Sequence, residues 1–434
     1  MEKSPMQKPE LLKIADGTRI TADSLLGQGG QGEVWKATDD GQPVAVKVYH
    51  PNTSTPEQKA VLERLVEKGS PAPHFLWPMA MVEDLQSERY GYIMALRDPN
   101  FRGLEEFMAR RIQPSMRVLL TAGMKLADGF LRLHSKGLCY RDISFANVFF
   151  DPKTGEVRIC DNDNVDITGA ETGGVLGTQR FMAPEVVRRE APPSADTDRY
   201  SLAVLLFFLL YGGHPLDGQR EANIRCLDVP ALERLYGFDP LYIWHPDDAS
   251  NRPVPDIHDN PIAFRDMYPG TLADLFRRSF TDGLHYPSKR VRESQWRKAF
   301  ASAINSIWLC GCSAENFYEP TVAAPSGGKR CWSCKKPLVL PPRIKIGDDI
   351  VLLNRTTQLF GYHVGQSRDD DTPIAEVVRN PQVPNLFGLR NTTAQAWTLT
   401  KPDGSVVDVP AGRAAPILDG NRINFGLKTG EVRV

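Results

Sequence analysis

Tyr140-Arg141-Asp142-Ile143-Ser144-Phe145-Ala146-Asn147, followed by Val157-Arg158-Ile159-Cys160-Asp161, sets three chemical groups in a short interval. An acid follows an arginine, an amide stands five residues on, and a second acid closes an apolar strand. Phosphoryl transfer needs such a set. One carboxylate orients an attacking hydroxyl and takes its proton, while the amide and the other carboxylate hold a divalent cation against phosphates. A string this short also occurs by chance, so the order of the surrounding parts decides the reading.

Upstream lies Gly27-Gln28-Gly29-Gly30-Gln31-Gly32-Glu33-Val34, a G-x-G-x-x-G-x-V string between two strand-like runs. Glycines let the backbone turn sharply and bring N–H groups close to phosphates. A dinucleotide-binding turn would lead into a helix. Here residues 33–37 read as a second strand, which favours a glycine-rich hairpin. Pro43-Val44-Ala45-Val46-Lys47-Val48-Tyr49 alternates in the manner of a strand and carries one cation, Lys47. Residues 56–68 read as a helix between a Thr55 cap and a Gly69 stop. That helix offers Glu57, Glu63 and Glu67, of which Glu63 is the candidate partner for Lys47. Tyr90-Gly91-Tyr92-Ile93-Met94-Ala95-Leu96 reads as a further strand.

In this order the parts resemble the eukaryotic-like (Hanks-type) serine/threonine protein kinases, of bacterial kind, over residues 25–303. The resemblance implies an α+β fold, with a β-rich small lobe on a helical large lobe and ATP in the cleft between them. It makes Asp142 the catalytic base and places Asn147 and Asp161 on Mg2+ or Mn2+. Asp163 is a rival for Asp161, but the register of residues 157–159 favours Asp161. Lys47, positioned by Glu63, grips phosphates. Gly27, Gly29, Gly32, Val34 and Ala45 join Met94, Ala95 and Leu96 around the nucleotide. Gly177-Thr178-Gln179-Arg180-Phe181-Met182-Ala183-Pro184-Glu185 resembles the end of an activation segment, the platform for a peptide substrate. Thr178 is expected to contact Asp142, Glu185 to pair with Arg290, and Asp198 to brace the catalytic loop. Arg141 is a candidate receiver for phosphate on Thr168 or Thr172. Three positions depart from the family's pattern: Tyr140 replaces a histidine, Ser144 a lysine, and Asn162-Asp163 a Phe-Gly pair. They leave a pseudokinase scaffold as the alternative. A small-molecule kinase is disfavoured by the segment ending at Glu185.

Beyond these parts, Cys310, Cys312, Cys331 and Cys334 form C-x-C…C-x-x-C, two close thiol pairs that suit tetrahedral Zn2+ as a structural knuckle. Residues 343–434 turn to short β-type runs with turns, expected to form a small β-sandwich or barrel. Segments near Gly388 and Gly420 resemble forkhead-associated domains. That family's paired Arg and Ser–x–x–His motif is missing, so a partner-docking or stabilising module is expected. The tail also resembles bacterial kinases encoded with a phosphatase and a von Willebrand A-domain protein and linked to tellurite resistance. That likeness implies a neighbouring protein as substrate.

At 434 residues the chain calls for two or three domains. The expected division is a lead-in at 1–24, a small lobe at 25–96, a large lobe at 97–305, the knuckle at 306–342 and the β-module at 343–434. A net charge of −1 gives no reason to expect nucleic acid. Residues 1–13 have no apolar core, and residues 202–210 are far shorter than the ~20 needed to span a bilayer. Seven cysteines, four of them clustered, suit a reducing compartment. A cytoplasmic protein without a membrane partner is expected.

Overall fold

Alternation along Gln42–Tyr49 sets the first layer. Successive side chains of a strand point to opposite faces. Val44, Val46 and Val48 therefore enter one core with Leu11, Trp35, Val82 and Ile93. Ala45 and Tyr49 face a second core with Leu62, Leu76, Tyr92 and Met94, and Lys47 shares their side. A computed structural model describes residues 8–87, 89–167, 176–320, 328–366, 371–380, 382–383 and 386–434. In it, strands β1 (Glu10–Lys13), β2 (Arg19–Gln28), β3 (Gly32–Asp39), β4 (Gln42–Tyr49), β5 (Ala80–Asp84) and β6 (Tyr90–Ala95) close a barrel in the order β1-β2-β3-β4-β6-β5. Leu11 pairs with Asp84 and Ile20, so β1 seals the barrel. The small lobe thus begins well before residue 25, and the expected lead-in is corrected. Helix α1 (Pro56–Lys68) lies between β4 and β5, with Thr55 accepting from the Gln58 N–H and Gly69 at its end.

Helices dominate the part that follows. Beyond its polar first turn, Ala195–Tyr211 is apolar around its whole circumference and almost wholly buried, as expected for a helix at the centre of a domain. Ser194 and Thr197 cap it reciprocally. Met116–Ser135 packs nearby, and the hairpin of Val148–Phe150 with Val157–Ile159 is flanked by Asn147 on one side and Cys160-Asp161 on the other. Near the end of this unit, both nitrogens of the buried Arg290 fork donate to Glu185, at 2.7 and 2.8 Å.

Contacts divide the chain into two units, one of residues up to Arg265 with Thr271–Lys298, the other of Asp266–Gly270 with Ala299–Val434. The second unit holds the hairpin of Ile307–Leu309 with Glu315–Phe317, then two antiparallel sheets of six and four strands. Ile344, Leu359, Leu389, Trp397, Ile423 and Val432 form one core within the second unit. A single helical turn, Gly361–Val364, interrupts the strands.

The Glu185–Arg290 pair predicts a stability effect. Breaking a buried pair leaves an uncompensated charge, at about 3–5 kcal/mol. Arg290→Ala should lower the urea midpoint accordingly, while Lys289→Ala, at an exposed neighbour, should leave it near wild type. Equal midpoints for the two variants would contradict the assignment.

Candidate active site

A cavity of about 650 Å3 opens beside the β2–β3 hairpin, within the range that small-molecule sites occupy. Gly27, Gly29, Gly32, Val34, Ala45, Lys47, Met94, Ala95 and Leu96 all line it, and so do Asp142 and Asp161. At Gly32 a β-carbon would lie 2.3 Å from the Val48 carbonyl oxygen. Only glycine lets β3 approach β4 so closely there.

The catalytic loop hangs from one buried acid. Asp198, in the central helix, accepts from the backbone N–H groups of Tyr140 (2.5 Å) and Arg141 (3.0 Å). Arg141 takes a left-handed backbone, φ +74°. Such a conformation is costly for a non-glycine residue and persists only where its surroundings impose it. Asp142 is then held on both oxygens: Thr178 donates to Oδ1 at 2.8 Å and Asn147 to Oδ2 at 3.1 Å. Asn147 is buried behind Asp142 rather than lining the cavity. With its NH2 group committed to Asp142, it has its carbonyl oxygen to offer a cation. The Cys160 N–H donates to the backbone carbonyl of Asn147 at 2.8 Å, which sets Asn147 beside the turn that carries Asp161 and leaves the side-chain oxygen unused by that bond.

Two residues that depart from the family's pattern, Tyr140 and Asn162, make specific contacts. The Tyr140 hydroxyl donates to the Cys160 carbonyl. Asn162 is buried and donates to the carbonyls of Leu76 (2.8 Å) and Ile159 (3.0 Å), so a polar clip stands where the family has an apolar side chain. Ser144 is buried and brings no cation to the cavity. The Arg141 guanidinium donates to Asp166 at 2.7 Å, an acid the sequence reading did not single out. Thr168 and Thr172 lie outside the described residues.

Glu63 requires correction. It is exposed on α1, as are Glu57 and Glu67. The helix turns Leu62 and Leu65 inward instead, and residues adjacent in a helix do not share a face. Lys47 lies 2.8 Å from Asp163, 3.5 Å from Asp161 and 3.2 Å from the side-chain oxygen of Gln31. Burial would depress the Lys47 ammonium, but the charges of Asp163 and Asp161 carry it above the ordinary lysine value. For Asp163, burial is likewise outweighed, by Lys47 and the Tyr49 hydroxyl, and its carboxyl falls below the usual range. The Asp161 side chain is half-exposed on the cavity; partial desolvation, with the Asp163 charge beside it, raises its carboxyl, which Lys47 offsets only in part. A divalent cation would supply the positive charge that Asp161 lacks, so the donor set fits one. Tyr49 and Gln31 were missed as site residues, and Asp163 was read only as a rival for Asp161. The one signal was a second acid two residues past Asp161.

In the other unit, the sulfurs of Cys310, Cys312, Cys331 and Cys334 all lie within 4.8 Å of one another. Two tight turns present them, with left-handed Ser313 and Lys335 at the bends. Burial would raise the Cys331 thiol, but the N–H groups of Cys334 and Ser333 bring it down to about 6.

The model of the protein kinase domain matches residues 20–267, more than half of the chain. The chain belongs to the protein kinase family. It is 28% identical over 224 residues to the serine/threonine-protein kinase PkaB of Streptomyces coelicolor, covering 46% of this chain and 51% of that protein. It is 28% identical over 219 residues to the serine/threonine-protein kinase PknA of Mycobacterium tuberculosis, covering 48% and 50%. The protein kinase YegI of Escherichia coli O157:H7 is 24% identical over 335 residues, 72% of this chain and 49% of that one. The chain thus spans about half the length of these curated relatives. They support a Hanks-type bacterial kinase and add no support for the tellurite-linked triad. Among the described residues, no helix is long and apolar enough to cross a membrane.

The brace on the catalytic loop predicts a pH dependence. His134 bridges Asp198 (3.0 Å) and Glu293 (2.6 Å). Burial would lower its pKa, but the two carboxylates raise it from 6.5 to about 9. Because the folded value exceeds the unfolded one, this stabilisation is complete below about pH 6.5. It is lost as pH climbs through about 9, and amounts to roughly 3 kcal/mol. Urea unfolding from pH 6 to 9.5 should show wild-type stability falling, with a flatter profile for His134→Gln. Parallel profiles would contradict the bridge.

Proposed function

We propose that the chain is an ATP-dependent protein kinase that transfers the γ-phosphate to serine or threonine of a protein substrate. The observation that carries this reading is the double fixing of Asp142, by Asn147 and Thr178, on the same cavity as Lys47 and Asp161. A carboxylate held there can orient a substrate hydroxyl and take its proton. Lys47 would hold the nucleotide phosphates, and the end of β6 around Met94 and Ala95 would face the base. Asn147 and Asp161 would hold Mg2+ or Mn2+, which when bound neutralises charge on the phosphates and fixes their orientation. Residues 177–185 would form the platform for the substrate chain. Arg141 pairs with Asp166 and would receive a phosphate on the segment only by exchanging that partner.

The four cysteines would hold one structural Zn2+. A tetrahedron with Zn–S bonds of ~2.3 Å sets its sulfurs about 3.8 Å apart. Two of the sulfur pairs stand at 3.5 and 3.7 Å. The following β-rich region would serve as a docking or stabilising module.

Two experiments test these roles. With labelled ATP, Mg2+ and a generic protein substrate, wild type should transfer phosphate to serine or threonine. Asp142→Asn should lose about 10²-fold or more while still binding ATP. Wild-type turnover in that variant would show the base to be wrong, and no transfer by wild type would favour the scaffold reading. Metal analysis should give about one Zn per chain, released in Cys331→Ser with ATP affinity intact. A folded, metal-free wild-type protein would sink the zinc assignment.

A further inference from the structure

We infer that Asp163 is the positioning residue for Lys47, replacing the helix glutamate that the family's pattern would supply. The inference rests on the nucleotide-binding reading above and adds a residue to it. Lys47 is buried and needs a lasting counter-charge. Helix α1 supplies none, because Glu57, Glu63 and Glu67 all face solvent. Asp163 supplies one at 2.8 Å, with a fully buried side chain. Asp161 is the second acid near Lys47, at 3.5 Å, but it is the candidate cation ligand. Once a cation claims Asp161, Asp163 is the carboxylate that stays with Lys47.

Three contacts keep Asp163 in place. The Tyr49 hydroxyl donates to the same oxygen that Lys47 touches. Gln58 on α1 donates to the Asp163 backbone carbonyl at 3.1 Å. The neighbouring Asn162 is clipped to Leu76 and Ile159. The helix therefore reaches the site through a neutral amide on a backbone oxygen, and the ion pair runs from β4 to the turn that carries Asp161. A shift of α1 would cost the Gln58 bond and leave the charge pair whole. Positioning of Lys47 is thereby uncoupled from the helix.

Equilibrium binding tests this independently of turnover. Affinities for MgATP and for adenosine are measured in wild type, Asp163→Asn, Lys47→Ala, the double variant and Glu63→Ala. Asp163→Asn should weaken MgATP by about tenfold or more, as expected for removing one partner of a buried charge pair. Adenosine affinity should be unchanged, and the double variant no weaker than Lys47→Ala alone. Glu63→Ala should match wild type for both ligands. Tyr49→Phe, which keeps the ring and removes the hydroxyl bound to Asp163, should weaken MgATP severalfold with adenosine unchanged. It decides the matter if Asp163→Asn does not fold. MgATP affinity unaltered in Asp163→Asn or in Tyr49→Phe would overturn the inference. So would additive losses in the double variant, or a loss in Glu63→Ala equal to that in Lys47→Ala. If these affinities follow the expected pattern but wild type transfers no phosphate, the kinase reading fails and the positioning role stands. Wild type that does not bind MgATP contradicts both.

Discussion

Asp198 is the group on which the catalytic unit depends. It is a buried carboxylate in the apolar central helix, where an unpaired charge would be prohibitive. It is satisfied by two backbone N–H groups and by His134. The same bonds force Tyr140 and Arg141 into one conformation, and that conformation aims Asp142 at the cavity. The central helix supplies a rigid origin, the acid transmits it to a loop, and the loop places the Asp142 carboxylate on the cavity. Removing the acid would orphan two amides and a charged imidazole at once, at about 1–3 kcal/mol for each neutral group.

A second theme is the replacement of apolar or mobile parts by polar contacts. Asn162 clips its turn to two carbonyls, Tyr140 bonds the Cys160 carbonyl, Arg141 meets Asp166, and Lys47 meets Asp163. Hydrogen bonds between buried groups are directional, so each contact specifies one arrangement of the turn. The lobes are linked by fixed bonds at the positions where the family's pattern would place an apolar switch.

Much of this was legible in the sequence because local spacing carries it. The glycine string, the strand around Lys47, the Asp142–Asn147 interval and the closing strand before Asp161 each lie within one hairpin or turn. Glu185 and Arg290 were matched across the chain through motifs that resemble the family's. What escaped depends on three-dimensional facing. Glu63 stands one residue past Leu62, and about 100° of helical turn separates an inward leucine from an outward acid. Residues 10–13 are too few to announce a strand, and their pairing with β5 bridges some seventy residues. Asp163 read as a rival for Asp161 on the cation, since nothing in a linear string places it beside Tyr49 and Lys47. The two sheets after residue 343 could be expected as strands, but their order, with Arg343–Ile346 beside Thr429–Arg433, is non-local.

The central claim is that this cavity seats a nucleotide with Lys47 held between its phosphates and Asp163. The most direct measurement is a crystal structure of the full chain with Mg2+ and a non-hydrolysable ATP analogue. The account predicts the Lys47 nitrogen at ~3 Å from both a phosphate oxygen and Asp163, Asp161 and Asn147 on the cation, and Glu63 in solvent. A nucleotide bound elsewhere, or Lys47 turned onto a carboxylate of α1, would contradict it.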